Sequence, residues 1–346
     1  MRCTEVDVDD KAMHVLAGDV GGTKVLLQLA HVGAGSYRVV KEQRYESSTF
    51  SGLSPIVREF LKSLHRDSAI EAACFAIAGP VMEVGSCQIA KVTNLPWEVD
   101  SAALAHEFNL PAVRLINDFQ AVGYGIETLT GKDLVTLQKG SAQPRAPRAV
   151  IGAGTGLGQG ILVWQHDHYE AIATEGGHMD FAPTDGLQIG LWHYLRQQFE
   201  HISYERLVSG PGLVLIYSYL REQEVEPVSA QADPRNAADP AAAISALALS
   251  GADALAIQAL DIFLCIYGAQ AGNLALSTGA TGGVYVAGGI APKIVHKLTD
   301  GIFMRSFLNK GRMSALLAAV PVQVVTNPDV GLEGAMVVAR RLAQSY

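Results

Sequence analysis

The sequence predicts an α/β protein of two lobes, and three observations predict it. Its 346 residues suggest two domains at about 150 residues each. Short apolar runs closed by glycine or Asn-Asp recur between longer helix-like stretches. An opening of strand, glycine turn and strand occurs twice, about 130 residues apart. With 49% hydrophobic and 17% charged residues, the chain can build a substantial core, which excludes a disordered chain, a collagen-like repeat and a disulfide-stapled miniprotein.

The elements follow in order. After a polar leader, the apolar run His14 to Ala17 leads into GDVGGT, and Lys24 to Val32 and Tyr37 to Arg44 read as two further strands. A helix is expected from Leu53 to His65. Ala72 to Ala78, small, apolar and bounded by Gly79-Pro80, reads as a strand buried on both faces. A second helix starts at Asp100-Ser101, both N-cap types, and ends near Asn109, before Pro111. Val113 to Ile116 is the next strand, closed by Asn117-Asp118. The pattern then restarts: Ala149 to Gly152 runs into AGTGLG, Gly160 to Trp164 follows, and a helix-rich stretch leads to the strand Gly283 to Ala287. Between the halves, the polar, proline-containing Gly131 to Arg148 reads as a strand connection near a domain boundary, and Glu222 to Pro240 as an exposed loop. Val330 to Leu342 reads as a helix that docks on the core.

Charge narrows the partners. The formal net charge is −8 and no basic stripe is visible, so nucleic acid is not expected as a partner. Cys3, Cys74, Cys87 and Cys265 form no CxxC pair, so neither a zinc site nor a disulfide framework is expected, and a reducing cytosol fits. The acidic N-terminus has no apolar core of a signal peptide, and a cytoplasmic location is expected. Ile262 to Pro292 carries no charge. Asn273, Ser277, Thr278 and several glycines interrupt it, so it reads as a buried helix followed by a buried strand rather than a membrane span.

The 35 glycines, about 10% against an average near 7%, cluster where chemistry is expected. A turn of glycines and threonine between two strands exposes successive backbone N–H groups and lets an anion approach closely. GDVGGT (Gly18, Asp19, Val20, Gly21, Gly22, Thr23) and GAGTGLG, with Gly154, Thr155 and Gly156 at its centre, both have this form; an ordinary hairpin turn is the alternative for each. Neither G-x-G-x-x-G nor G-x-x-x-x-G-K-[ST] occurs. Two such hairpins and a third strand ending in AGG suggest one phosphate chain held between two lobes. Asp118 could accept the proton of a hydroxyl in phosphoryl transfer, and Asn117 could bridge two sugar hydroxyls, or the pair could cap a helix. Glu175 and His178 flank Gly176-Gly177, and Glu205 stands at an expected helix start; carboxylates and imidazole can read adjacent hydroxyls, or serve as solvated and packed residues. Asp19 could hold Mg²⁺ through water, and Thr23 and Thr155 could donate to phosphate oxygens.

Eight motifs in order carry a resemblance: GDVGGT (18–23), AIAGPV (76–81), TNLPW (93–97), LINDF (115–119), GAGTGLG (152–158), EGGHMDFAP (175–183), ERLVSGPGL (205–213) and GGVYVAGGI (282–290). The chain resembles the sugar kinases of the actin, sugar kinase and Hsp70 superfamily, and specifically the bacterial glucokinase family, from about residue 14 to the C-terminus. The resemblance implies a two-lobed, ribonuclease H-like (actin-like ATPase) fold with an active-site cleft, residues 14–128 plus 327–346 forming a small lobe and 129–326 a large one. It implies ATP-dependent phosphorylation of the glucose 6-hydroxyl, with Asp118 as base, Asn117, Asp118, Glu175, His178 and Glu205 around glucose, the two glycine loops on ATP, Mg²⁺ near Asp19, and a homodimer. Lys24 stands where the family often has Asn and is given no catalytic role. The cysteine-rich zinc motif of related ROK kinases is missing, so zinc is not expected. A kinase of fructose or mannose is the main alternative; a non-catalytic sugar sensor is disfavoured because no basic DNA-reading helix is present.

Overall fold

The computed structural model describes residues 13–33, 37–62, 69–223 and 233–345. The chain divides into two units: unit 1 comprises Met1–Thr128 and Asp329–Tyr346, and unit 2 comprises Leu129–Pro328.

Unit 1 opens with three strands, β1 (Met13–Val20), β2 (Lys24–Val32) and β3 (Tyr37–Glu46), and helix α1 (Leu53–Lys62). Strands β4 (Ile70–Ile77), β5 (Val81–Val84), β6 (Cys87–Lys91) and β7 (Glu98–Asp100) follow, then α2 (Ser101–Phe108), β8 (Val113–Asn117) and α3 (Asp118–Gly125). The main sheet has the order β3-β2-β1-β4-β8, with β1, β4 and β8 parallel and the β1–β2–β3 run antiparallel. Leu53, Ile56, Val57 and Phe60 are the buried positions of α1, a stripe at helical spacing that packs with Leu16, Leu27, Leu29 and Phe75 of the sheet. The expected helix tail Ser63 to His65 lies outside the described residues. Asp100 caps α2 by accepting from the N–H groups of Ala102 and Ala103, and the helix stops at Asn109, whose φ of 51° is left-handed. The antiparallel sheet β5-β6-β7 was not legible in sequence, because its strands are short and largely exposed and lack an apolar run.

Unit 2 contains β9 (Leu134–Gln138), β10 (Arg148–Ala153), β11 (Leu157–Gln165), β12 (His168–Thr174), α4 (Gly186–Arg196), α5 (Gly210–Glu222), α6 (Pro240–Ser250) and α7 (Ala254–Thr278). It continues with β13 (Gly283–Ala287), α8 (Val295–Leu298), α9 (Ile302–Leu308), α10 (Ser314–Ala318) and β14 (Val322–Val325); α11 (Val330–Gln344) returns to unit 1. The sheet order β12-β11-β10-β13-β14-β9 repeats the unit 1 order and directions strand for strand, with β9 added antiparallel to β14. The doubled strand, glycine turn, strand pattern is thus a doubled sheet topology. The segment expected as a bare connection, Gly131 to Arg148, carries that edge strand β9, whose pattern of partly exposed residues hides it.

Helix α7 is long and apolar enough to cross a membrane by length and composition. Fifteen of its residues are buried inside the protein, Phe263, Tyr267 and Leu274 among the core of unit 2, as the buried-helix reading expects. Asp253 caps its start and Gly279, at φ 61°, ends it. In the expected loop Glu222 to Pro240, residues 224–232 lie outside the described residues and Pro234–Asn236 form a single 3₁₀ turn. α11 lies against α3, β1 and β4 of unit 1, the docking expected of the C-terminal helix.

Candidate active site

In unit 1 four of the eight motifs interlock through backbone groups. The β1–β2 turn is closed by Gly21 N–H donating to Lys24 O at 2.9 Å. Val20 O accepts from Ala78 N–H at 2.9 Å, and Ala78 O accepts from Thr93 N–H at 2.8 Å. Gly79 O accepts from Asn117 Nδ2 at 3.1 Å. Gly79 itself has φ 155°, and a Cβ there would stand 2.2 Å from Lys91 O, so only glycine fits. Ser47, which no sequence signal marked, ties the turn down: its Oγ donates to Gly21 O at 2.8 Å and its N–H to Thr23 O at 2.9 Å.

Asn117 ends β8 and caps α3, its Oδ1 accepting from Phe119 N–H at 2.9 Å and Gln120 N–H at 3.3 Å. With Nδ2 on Gly79, its carboxamide oxygen is committed and one N–H is left for a ligand. The expected bridging of two hydroxyls through this amide is therefore narrowed to one donor. Asp118 opens α3, with Oδ1 accepting from Phe119 N–H at 2.9 Å. Burial pushes the Asp19 carboxyl above its usual range, with Lys24 opposing the shift and Asp329 adding to it. A cation would relieve that cost. Among the described residues no group of three or more His, Cys, Asp or Glu side chains could hold a metal ion; a magnesium ion at Asp19 would take its other ligands from water and phosphate, as that ion prefers. The donor set fits.

In unit 2 the other four motifs interlock. The turn Gly154–Gly156 joins β10 to β11, with Gly154 N–H donating to Gly156 O at 2.8 Å. Space is open where a Cβ of Gly154 would stand, and Thr155 is exposed. Gly154 O accepts from Gly210 N–H at 2.9 Å, and Ala153 O accepts from Ile290 N–H at 3.1 Å. The buried Tyr267 hydroxyl accepts from Ala153 N–H and donates to Ile151 O, both at 3.2 Å, which braces the end of β10. Glu175 and His178 are exposed at the ends of the turn through Gly176-Gly177. Gly177 O accepts from Glu205 N–H at 2.9 Å.

Glu205 does not begin a helix. It lies in a turn, and α5 starts at Gly210 with Ser209 accepting from Gly212 N–H; a helix begun at Glu205 would place Pro211 in its interior with no N–H for the Leu207 carbonyl, whereas the first turn tolerates proline. This shift puts the Glu205 carboxylate against the glycine loop. Its Oε2 accepts from Leu157 N–H at 2.9 Å, its Oε1 is 3.9 Å from His178 Nε2, and a Cβ on Gly156 would stand 2.5 Å from Oε2. One carboxylate thus joins the Gly154–Gly156 loop to the Gly176-Gly177 turn, which sequence spacing alone did not show.

The family model for glucokinase matches residues 16–342. The chain belongs to the glucokinase family. A glucokinase of Nostoc sp. is 46% identical over 343 residues, covering 95% of this chain and 99% of the relative. The solved structure of a glucokinase from an Antarctic psychrotroph superposes with TM-score 0.81 at 30% identity, covering 95% of this chain and 99% of that one. A Balamuthia mandrillaris glucokinase solved with glucose superposes with TM-score 0.77 at 22% identity, covering 97% and 95% of the two chains, a likeness of fold. Family and neighbours agree with the α/β, actin-like ATPase fold.

Proposed function

We propose that this member of the glucokinase family transfers the γ-phosphoryl group of ATP to the 6-hydroxyl of glucose, giving glucose 6-phosphate and ADP. The observation that carries the reading is the Glu205 carboxylate in unit 2, which binds the amide next to a phosphate-type glycine loop and stands beside His178 of the sugar-type turn. A polyol substrate and a phosphate donor are the two ligands such a pair serves.

The residues then divide the work. Glu175, His178 and Glu205 hold glucose hydroxyls as paired acceptors and donors, so a sugar that lacks or inverts one of those hydroxyls leaves a polar group unpaired. Asn117 adds the one amide N–H that its capping leaves over. Asp118 orients the 6-hydroxyl and takes its proton late in the transfer, as the loose transition state of phosphoryl transfer requires. Backbone N–H groups of Gly22, Thr23, Thr155 and Gly156, with the hydroxyls of Thr23 and Thr155, meet the phosphate oxygens, while the N–H groups of Gly21 and Gly154 close their own turns. Mg²⁺, held near Asp19 through water, would offset phosphate charge when bound. A homodimer and a cytoplasmic location belong to the same reading.

A coupled assay with ATP and a panel of hexoses tests it. Glucose is expected to give the highest kcat/KM, and equal values for glucose, mannose and fructose would replace glucose specificity with a general hexose kinase.

A further inference from the structure

Beneath the sugar turn lies a polar side chain that the proposed mechanism leaves idle. Gln159 stands on β11, in register with Ile151 on one neighbour and Thr174 on the other. The residue is 1% exposed, at a strand position where an apolar side chain would avoid all desolvation cost. Its carboxamide lies directly under Gly176: a Cβ on that glycine would stand 2.4 Å from Gln159 Oε1 and 3.1 Å from its Cδ. Two residues earlier on the same strand, Leu157 O supports the next glycine in the same way, 2.0 Å from a Cβ built on Gly177. The turn carrying Glu175 and His178 therefore rests on alternate residues of β11, one through its peptide and one through its side chain. Thr174 stitches the edge, its Oγ1 donating to Gln159 O at 3.4 Å and accepting from Gly176 N–H at 3.3 Å.

The Nε2 end of Gln159 is buried and has no hydrogen-bond partner among the described residues. Buried donors without acceptors are rare because each forfeits its hydrogen bonds to water.

We propose that Gln159 is a positioning residue for the sugar. Its carboxamide sets the height of the Glu175–His178 turn, and its Nε2 donors find their acceptor, a carboxylate or hydroxyl oxygen, when the turn is loaded with substrate. The assignment rests on the glucose kinase reading and adds to it a residue that contacts the turn rather than the reacting atoms.

Gln159→Met keeps the shape and removes the donors. The glucose KM is expected to rise about 5- to 20-fold, the size of one lost hydrogen bond, while the ATP KM stays within twofold and the melting temperature of the free protein holds or rises. Gln159→Glu, which keeps an oxygen under Gly176 but offers no N–H₂, is expected to raise the glucose KM as well. An unchanged glucose KM in Gln159→Met, or a fall in melting temperature with both KM values rising together, would overturn the assignment. If neither variant folds, hydrogen exchange on the wild-type chain decides: glucose should protect residues 157–160 and 174–178 together, and protection of neither overturns it. A wild-type chain that leaves glucose unphosphorylated defeats the substrate reading alone, and the same comparisons then apply to the hexose it does phosphorylate.

Discussion

The two glycine hairpins have the same strand directions and the same place in their sheets, yet they are fixed by different means. The β1–β2 turn is closed by its own backbone bond and by the neutral Ser47. The β10–β11 turn has a similar internal bond, from Gly154 N–H to Gly156 O, but its exit is held by the charged Glu205, a residue also proposed to bind sugar. A loop held by neutral groups of its own sheet has one resting geometry. A loop held by a carboxylate that a second ligand also contacts has a geometry that the second ligand can alter. With Glu205 read as a sugar ligand, the duplicated fold is expected to have one half whose glycine loop is fixed by neutral groups and one whose loop shares its carboxylate with the sugar.

The largest effect is expected at Asp118. Asp118→Asn keeps the size of the side chain and loses the base, so kcat should fall by roughly 10²- to 10⁴-fold with the glucose KM changed far less. A variant with wild-type kcat would break the assignment of chemistry to unit 1.

Glu205→Ala comes next. It strands the Leu157 N–H and removes a sugar acceptor, so the glucose KM should rise by roughly 10- to 100-fold and the ATP KM by a few-fold, the scale of an unpaired buried donor. Glu205→Gln keeps an oxygen for Leu157 and should restore the ATP KM while the glucose KM stays high. Equal ATP KM values in the Ala and Gln variants would show that the carboxylate does not hold the loop.

How much of this was legible in sequence differs from strand to strand for a physical reason. β1, β2, β4 and β13 are apolar runs ended by glycine, and the caps at Asp100 and Asn109 have distinctive residue types, so local sequence marks them. β5, β6, β7 and β9 are short, partly exposed strands whose residues do not alternate, and only pairing with neighbours makes them strands. At the site, the motifs name Asp118, Glu175, His178 and Glu205. They do not show that Asn117 spends its oxygen on α3, that Ser47 pins Gly21, or that Glu205 reaches back to Leu157 across 48 positions. Gln159 did leave a signal, a polar residue in a buried strand position, but its meaning depends on Gly176 lying above it.

Ser47→Ala should do less than any change at Glu205. Losing the Oγ bond to Gly21 O is expected to cost about 1 kcal/mol of stability, read by denaturant unfolding, with both KM values within about threefold. A rise in the ATP KM as large as that of Glu205→Ala would mean that the first loop is as responsive as the second.

The smallest effect is expected at the open ends of the two hairpins. In unit 1 His14 faces His31 across β1–β2, the rings edge-to-face at 5.4 Å, and Arg38 is in register beyond His31. Burial, then the neighbouring His31, hold the His14 imidazole below its ordinary 6.5. The folded chain therefore binds fewer protons than the unfolded one between the two pKa values, so stability is full above 6.5 and is lost as pH falls through the folded value. In unit 2 the matching end carries Arg148 over the Tyr169 ring at 4.1 Å and Arg145 over Trp164 at 5.2 Å, and arginine keeps its charge throughout. Acidification from about pH 7.5 to about pH 5.5, the range in which histidine titrates, should lower the hydrogen-exchange protection factors, taken against the intrinsic rate at each pH, at residues 13–16 and 29–32 before those at 148–150 and 162–165. His14→Gln should flatten that difference. Loosening of both ends together, or a difference that survives the substitution, would place the acid sensitivity elsewhere and leave the hairpins alike at this end, with only the glycine loops to tell them apart.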